Sequence, residues 1–144
     1  MAGTITPMLS YEDVGAAADW LVRAFGFSED FRYAEPDGQV SHVELTLGGG
    51  TVMLGNPGPH YEGPRRHAEA CERARRWRET PYVVDGIHAY VEDVDAHFAQ
   101  AEAAGATILS AVEDTEYGDR HYRVEDVEGH RWMFAQRVPE VPGN

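Results

Sequence analysis

Two amphipathic segments, each flanked by stretches of strict alternation, organise this chain. Val14, Ala17, Ala18, Leu21 and Phe25 recur at helical spacing over 14–25, and Asp13 stands ahead of them as an N-cap. The spacing returns over 94–104, with Asp93 as the cap and Val94, Phe98, Ala101 and Ala104 turned inward. Alternating positions predict strands at 4–10, 29–34, 39–47 and 50–55 around the first helix, and at 86–92, 107–112, 119–125 and 130–136 around the second. Asp37-Gly38 and Gly48-Gly49-Gly50 supply hairpin turns. No helix and no lysine follow the triple glycine, so a phosphate-binding loop is the weaker reading.

The order β-α-β-β-β therefore occurs twice. Tyr11-Glu12-Asp13-Val14-Gly15-Ala16 at the first helix start is echoed 80 residues later by Val91-Glu92-Asp93-Val94-Asp95-Ala96. The pattern predicts an α+β fold of two tandem modules, 1–55 and 83–138, joined by a linker at 56–82. Modules of this size are marginal alone, so they must share a core or pair with a second chain.

Alternation also assigns faces. Val43, Leu45 and Leu47 oppose His42, Glu44 and Thr46; Ile87, Ala89 and Val91 oppose Gly86, His88 and Tyr90; Trp132 and Phe134 oppose Arg131, Met133 and Ala135. The apolar sets belong under the helices. The mixed sets form half-polar faces, and two such curved sheets facing one another would enclose a cleft for a small molecule.

Charge narrows the partners. The net charge is −13, which repels nucleic acid and anionic membranes and favours a cationic ligand or plain solubility. All basic residues are arginine, and six of the 12 fall in 65–79. Bracketed by Pro57, Pro59, Pro64 and Pro81, this stretch reads as a short exposed helix, serving either as a lid or anion contact or as a solvated linker laced with i,i+4 ion pairs. The single Cys71 rules out an internal disulfide, and without a leader or a long apolar run the expected compartment is the cytoplasm. The tail 139–144 reads as disordered. Ser10, Ser28, Ser41 and Ser110 lack the strained-turn context of a nucleophile. His97 and Glu102 are expected on the outer helix face, and His130 as a cap of local backbone.

The motifs Tyr11-Glu12-Asp13-Val14, Ala24-Phe25-Gly26-Phe27, Glu92-Asp93-Val94-Asp95-Ala96, Ala103-Ala104-Gly105-Ala106 and Asp126-Val127-Glu128-Gly129-His130-Arg131-Trp132, in this order and spacing, resemble the vicinal oxygen chelate superfamily over about residues 4–136. That group includes glyoxalase I, extradiol dioxygenases, fosfomycin-resistance enzymes and bleomycin-binding proteins. The resemblance implies paired βαβββ modules, often completed by homodimerisation, and a divalent metal held by four side chains in the first and last strands of each module. Those positions fall here on Thr6, Met53, Gly86 and Met133. None offers an imidazole or carboxylate, so no metal cofactor is expected, and the resemblance narrows to the metal-free bleomycin-binding branch.

Three readings follow. In the first, the cleft binds and sequesters a cationic or aromatic compound, lined by Met8, His42, Glu44, Met53, His88, Tyr90, His121, Arg123 and Met133. In the second, Glu44 and His88 act as an acid–base pair in a metal-independent isomerase or lyase, with Arg123 holding an anion. In the third, His42, Glu44, His88 and His121 form a displaced metal site.

Overall fold

A computed structural model describes residues 3–80 and 85–138. The predicted α+β architecture of two tandem βαβββ units is what the chain adopts. The first unit consists of β1 (Met8–Ser10), α1 (Val14–Phe25), β2 (Ser28–Ala34), β3 (Val40–Leu47) and β4 (Gly50–Gly55). Two short helices follow, α2 (Pro64–Ala70) and α3 (Glu72–Trp77). The second unit consists of β5 (Ile87–Tyr90), α4 (Val94–Ala103), β6 (Thr107–Asp114), β7 (Asp119–Glu125) and β8 (Arg131–Arg137). Each forms a four-stranded mixed sheet, ordered β1-β4-β3-β2 and β5-β8-β7-β6.

The helix caps are the predicted ones. Asp13 and Asp93 accept from the backbone N–H of Ala16 and Ala96 at 3.0 and 3.1 Å. Gly26 closes α1 at φ 80°, a conformation that favours glycine. Strand limits differ in places. β1 begins at Met8 rather than residue 4, since Pro7 has no N–H to donate, although its carbonyl accepts from Met53 N at 2.9 Å. β5 ends at Tyr90, short of residue 92, because the chain turns there towards the Asp93 cap. β6 extends to Asp114, past 112, with register shifts between Ile108 and Ser110 and between Ser110 and Glu113. The tail 139–144 lies outside the described residues.

Both helices lie on the apolar faces of their sheets and also against each other, so the two units share one core. Phe25 is its centre. Its ring meets Trp20, Trp132 and Phe134 edge-on, with centroids 5.0, 5.5 and 4.8 Å away. Polar bonds seal the joint. Tyr11 donates to Asp126 Oδ2 at 2.5 Å, Trp20 Nε1 to Ala104 O at 2.9 Å, and the N–H groups of Glu12 and Asp13 to the Glu128 carboxylate at 2.6 and 3.0 Å. Burial, first of all, raises the pKa of both Tyr11 and Glu128.

His97 and His130 correct the sequence reading. His97 is not solvated on the outer face but buried at the joint. Its Nε2–H must donate to Phe25 O at 2.8 Å, which can only accept, so Nδ1 accepts from the Tyr122 hydroxyl at 2.6 Å. His130 caps a carbonyl of the other unit, Ser10 O at 2.6 Å, rather than local backbone.

Burial lowers the His97 pKa below the usual imidazole value. The unfolded chain therefore takes up this proton first. Stability falls as pH drops through the ordinary histidine range and stops falling once the depressed folded value is passed. The expected result is a steeper loss of urea midpoint between pH 7.5 and 5 in the native chain than in His97→Gln. Equal slopes would refute it.

Candidate functional site

With the apolar faces joined in one core, the mixed faces look away from it. On the first sheet one row crosses the strands as Met8, Met53, Glu44 and Phe31, fixed by the pairings Met8–Met53, Glu44–Met53 and Phe31–Glu44. His42 and Tyr33 pair in the next row. Met8 is 79% exposed, and Phe31 and Tyr33 are about half exposed. His42 Nε2 lies 3.8 Å from Glu44 Oε1, and its ring centroid is 6.0 Å from that of Phe31.

On the second sheet the corresponding row is His88, Met133, Arg123 and Ser110. Met8–Met53 and His88–Met133 are matched parallel pairs, so the 80-residue repeat persists in the register. Tyr90, Ala135 and His121 form the next row. Tyr90 donates to Asp119 at 2.9 Å, lies under the Arg137 guanidinium at 4.7 Å, and sits edge-on to His88. The Tyr90–Asp119 bond raises the tyrosine pKa. His121 is buried on this face, 3.3 Å from Glu113.

A cavity of about 240 Å³ opens on the second face, lined by Gly86, His88, Arg123 and Met133 together with Leu109 and Arg131. The first four were named from sequence. Leu109 was missed because the bulged register of β6 breaks its alternation. Arg131 lay on the mixed face by parity, yet its role depends on partners far away in the chain.

Those partners belong to the linker. It is two helices, not one, broken at Cys71, whose backbone is extended (φ −132°, ψ 113°). Three of its arginines, Arg65, Arg66 and Arg78, are tied by long-range contacts rather than by i,i+4 pairs. Arg78 bonds the buried Glu125, and Arg131 Nε reaches the same carboxylate at 2.9 Å. Arg131 also donates to the carbonyls of Thr80 and Arg78. Arg65 donates to the carbonyls of Val127 and Asp126, and Arg66 pairs with Glu12 at 2.7 Å, which lowers the Glu12 pKa. Gly129 permits this docking. Its φ is 95°, and a Cβ there would lie 2.8 Å from Arg65 N. The linker thus covers the Glu125–Arg131 end of the second mixed face.

The residues do not suit the divalent metal implied by the resemblance. Thr6, Met53, Gly86 and Met133 supply one hydroxyl, two thioethers and no side chain at the fourth position, a poor set for a hard or borderline ion. Among the described residues there is also no group of three or more His, Cys, Asp or Glu placed to hold one, so the set His42, Glu44, His88 and His121 does not assemble within the chain. Glu44 and His88 stand on different sheets. No helix among the described residues is long and apolar enough to cross a membrane.

Comparison with known proteins places these features in context. Residues 5–134 match the sequence profile of the Glyoxalase/Bleomycin resistance protein/Dioxygenase superfamily. The chain is 38% identical over 141 residues to Mb0911c of Mycobacterium bovis, covering 95% of this chain and 85% of that protein. Among solved structures, TioX from Micromonospora sp. ML1 superposes with a TM-score of 0.70 at 33% identity, covering 95% of this chain and all of TioX. TnmS3, an antibiotic-binding protein from Streptomyces sp. CB03234, shares the fold with a TM-score of 0.63 at 19% identity, covering 96% of this chain and 99% of TnmS3.

Proposed function

The chain belongs to the Glyoxalase/Bleomycin resistance protein/Dioxygenase superfamily, and from that premise we propose that it is a metal-free binding protein that sequesters a cationic or aromatic small molecule, an antibiotic or a metabolite. The observation that carries the reading is the row His88–Met133–Arg123 bordering a cavity on the second mixed face. The antibiotic-binding function of TnmS3 lends support. Thioethers supply an adaptable floor, Tyr90 a stacking surface, and His88 and Arg123 fix polar groups.

The first mixed face supplies the other wall, from a second copy. Met8, Phe31 and Tyr33 leave apolar surface uncovered on it, and Glu44 there complements Arg123 on the second face. A twofold homodimer that sets unlike sheets face to face would close two clefts and bring Glu44 near the partner subunit's His88. Light scattering at micromolar concentration should report twice the 16.0 kDa of the chain.

A thermal-shift and dialysis screen with aromatic antibiotics and cationic glycopeptides tests sequestration. Recovery of the ligand unchanged is expected, with Met133→Arg weakening binding by about tenfold or more as its side chain fills the cavity. Consumption of the ligand would replace this reading with the acid–base one, above all if Glu44→Gln kept binding and lost turnover.

A further inference from the structure

A larger hollow, about 440 Å³, lies on the other side of Arg131, between the linker helices and the β7–β8 turn. Its volume falls in the range of small-molecule sites. Tyr61, Pro64, Cys71, Ala74 and Trp77 give it an apolar wall. We propose that this hollow is a second small-molecule site, separate from the mixed faces, that takes an uncharged polycyclic aromatic molecule carrying a carbonyl or hydroxyl oxygen.

Trp77 is the first argument. Trp20 and Trp132 are buried, and each indole N–H has an acceptor, Ala104 O and Asp126 Oδ2. Trp77 is 54% exposed on the hollow, and its N–H has no acceptor among the described residues. An indole left so offers a stacking face together with one donor. Charge balance supplies the second argument. Arg78 and Arg131 are held by Glu125 and by backbone carbonyls, while Arg73 on the rim stands with Glu62 and Asp85. Counted together with Glu125, which lies outside the hollow and holds Arg78 and Arg131, the formal charges of Arg73, Arg78, Arg131, Glu62 and Asp85 cancel, so with His67 neutral the hollow has no excess charge to attract an ion. Aromatic surface and the Trp77 donor then select the occupant. The Tyr61 hydroxyl is already committed to Ser10 O at 2.9 Å and holds its proton, since burial pushes its pKa up to about 12.

Flavone, an uncharged three-ring ketone, is the probe. Equilibrium dialysis at pH 8 should show saturable uptake of one flavone per chain. The indole N–H resonance of Trp77, assigned through Trp77→Phe, should shift while the other two stay in place. Ala74→Phe fills the hollow and should weaken uptake about tenfold or more, whereas Met133→Arg, which fills the sheet cavity, should leave it within about twofold. If Ala74→Phe does not fold, alkylation of Cys71 with N-ethylmaleimide provides the same block on the native chain. Absence of saturable uptake, uptake that survives the block, or loss on Met133→Arg would each overturn the proposal. None of these outcomes bears on sequestration at the mixed faces, which the antibiotic screen tests independently.

Discussion

Asp126→Ala is expected to cost about 4 kcal/mol or more, a large part of the stability of a domain this size. The side chain is fully buried. Its Oδ2 accepts from the Tyr11 hydroxyl at 2.5 Å and from Trp132 Nε1 at 3.0 Å. Its Oδ1 accepts from the backbone N–H groups of Glu128, Gly129 and His130, each at 3.0 Å. Alanine removes every one of these acceptors and gives no water access to replace them. An unsatisfied buried donor costs about 1–3 kcal/mol, and losses within one network do not simply add, so the sum of the separate penalties is an upper bound. Tyr11→Phe, which deletes one donor cleanly, should cost only about 1 kcal/mol. The two variants separate the turn from the joint, because Asp126 organises the β7–β8 connection and also ties it to the first unit through Tyr11. Urea unfolding measures both. A loss under about 1 kcal/mol for Asp126→Ala would show that the network contributes little.

The parts of this fold legible in the sequence are those with local causes. Asp13 and Asp93 cap because a short acceptor precedes an apolar helical stripe, and β3 and β8 sort their side chains because strand parity is local. The 80-residue offset between Met53 and Met133, legible in the repeat, returns in the sheets, where Met8–Met53 and His88–Met133 are matched pairs. His97 was misassigned by residue type rather than by position. It lies three residues after Val94 and four before Ala101, squarely on the inward stripe, and its polarity disguised a group satisfied by Phe25 O and Tyr122. The linker was illegible for a different reason. Arg65 and Arg78 meet Asp126, Val127 and Glu125 only when the chain folds back over dozens of residues, and no local spacing encodes that. Asp126 stood in a recognised turn motif, but its bond to Tyr11 joins the two units and has no local signature. Glu44, His88 and Met133 follow from strand parity alone, whereas the places of Met8 and Arg123 come from the register of their strands; which face meets which depends on how the units join.

Glu125→Ala should have the second large effect, about 3–5 kcal/mol, and should loosen the linker as well. The carboxylate is buried between the Arg78 guanidinium and Arg131 Nε, with Arg65 Nη2 at 4.0 Å. Arg131 is itself only 9% exposed along its side chain, so deletion of Glu125 leaves a buried positive charge supported by carbonyls alone. The cost is that of breaking a buried pair from one side, which exceeds the net worth of the pair. Relief comes most easily through movement of Arg78, since α3 is short and has no fully buried residue. Undocking of α3 would remove one wall of the 440 Å³ hollow. Trypsin therefore gives a direct readout. Arg73, Arg75 and Arg76 lie exposed on α3, and cleavage there should run about tenfold faster or more in Glu125→Ala than in the native chain under conditions where both remain folded. Flavone uptake should fall in parallel, while the Met8–Met53–Glu44 row of the first mixed face is untouched. Native rates of cleavage together with native stability in this variant would mean that the linker is held by something other than the Glu125 cluster, and the Arg-rich segment would return to being a passive connection.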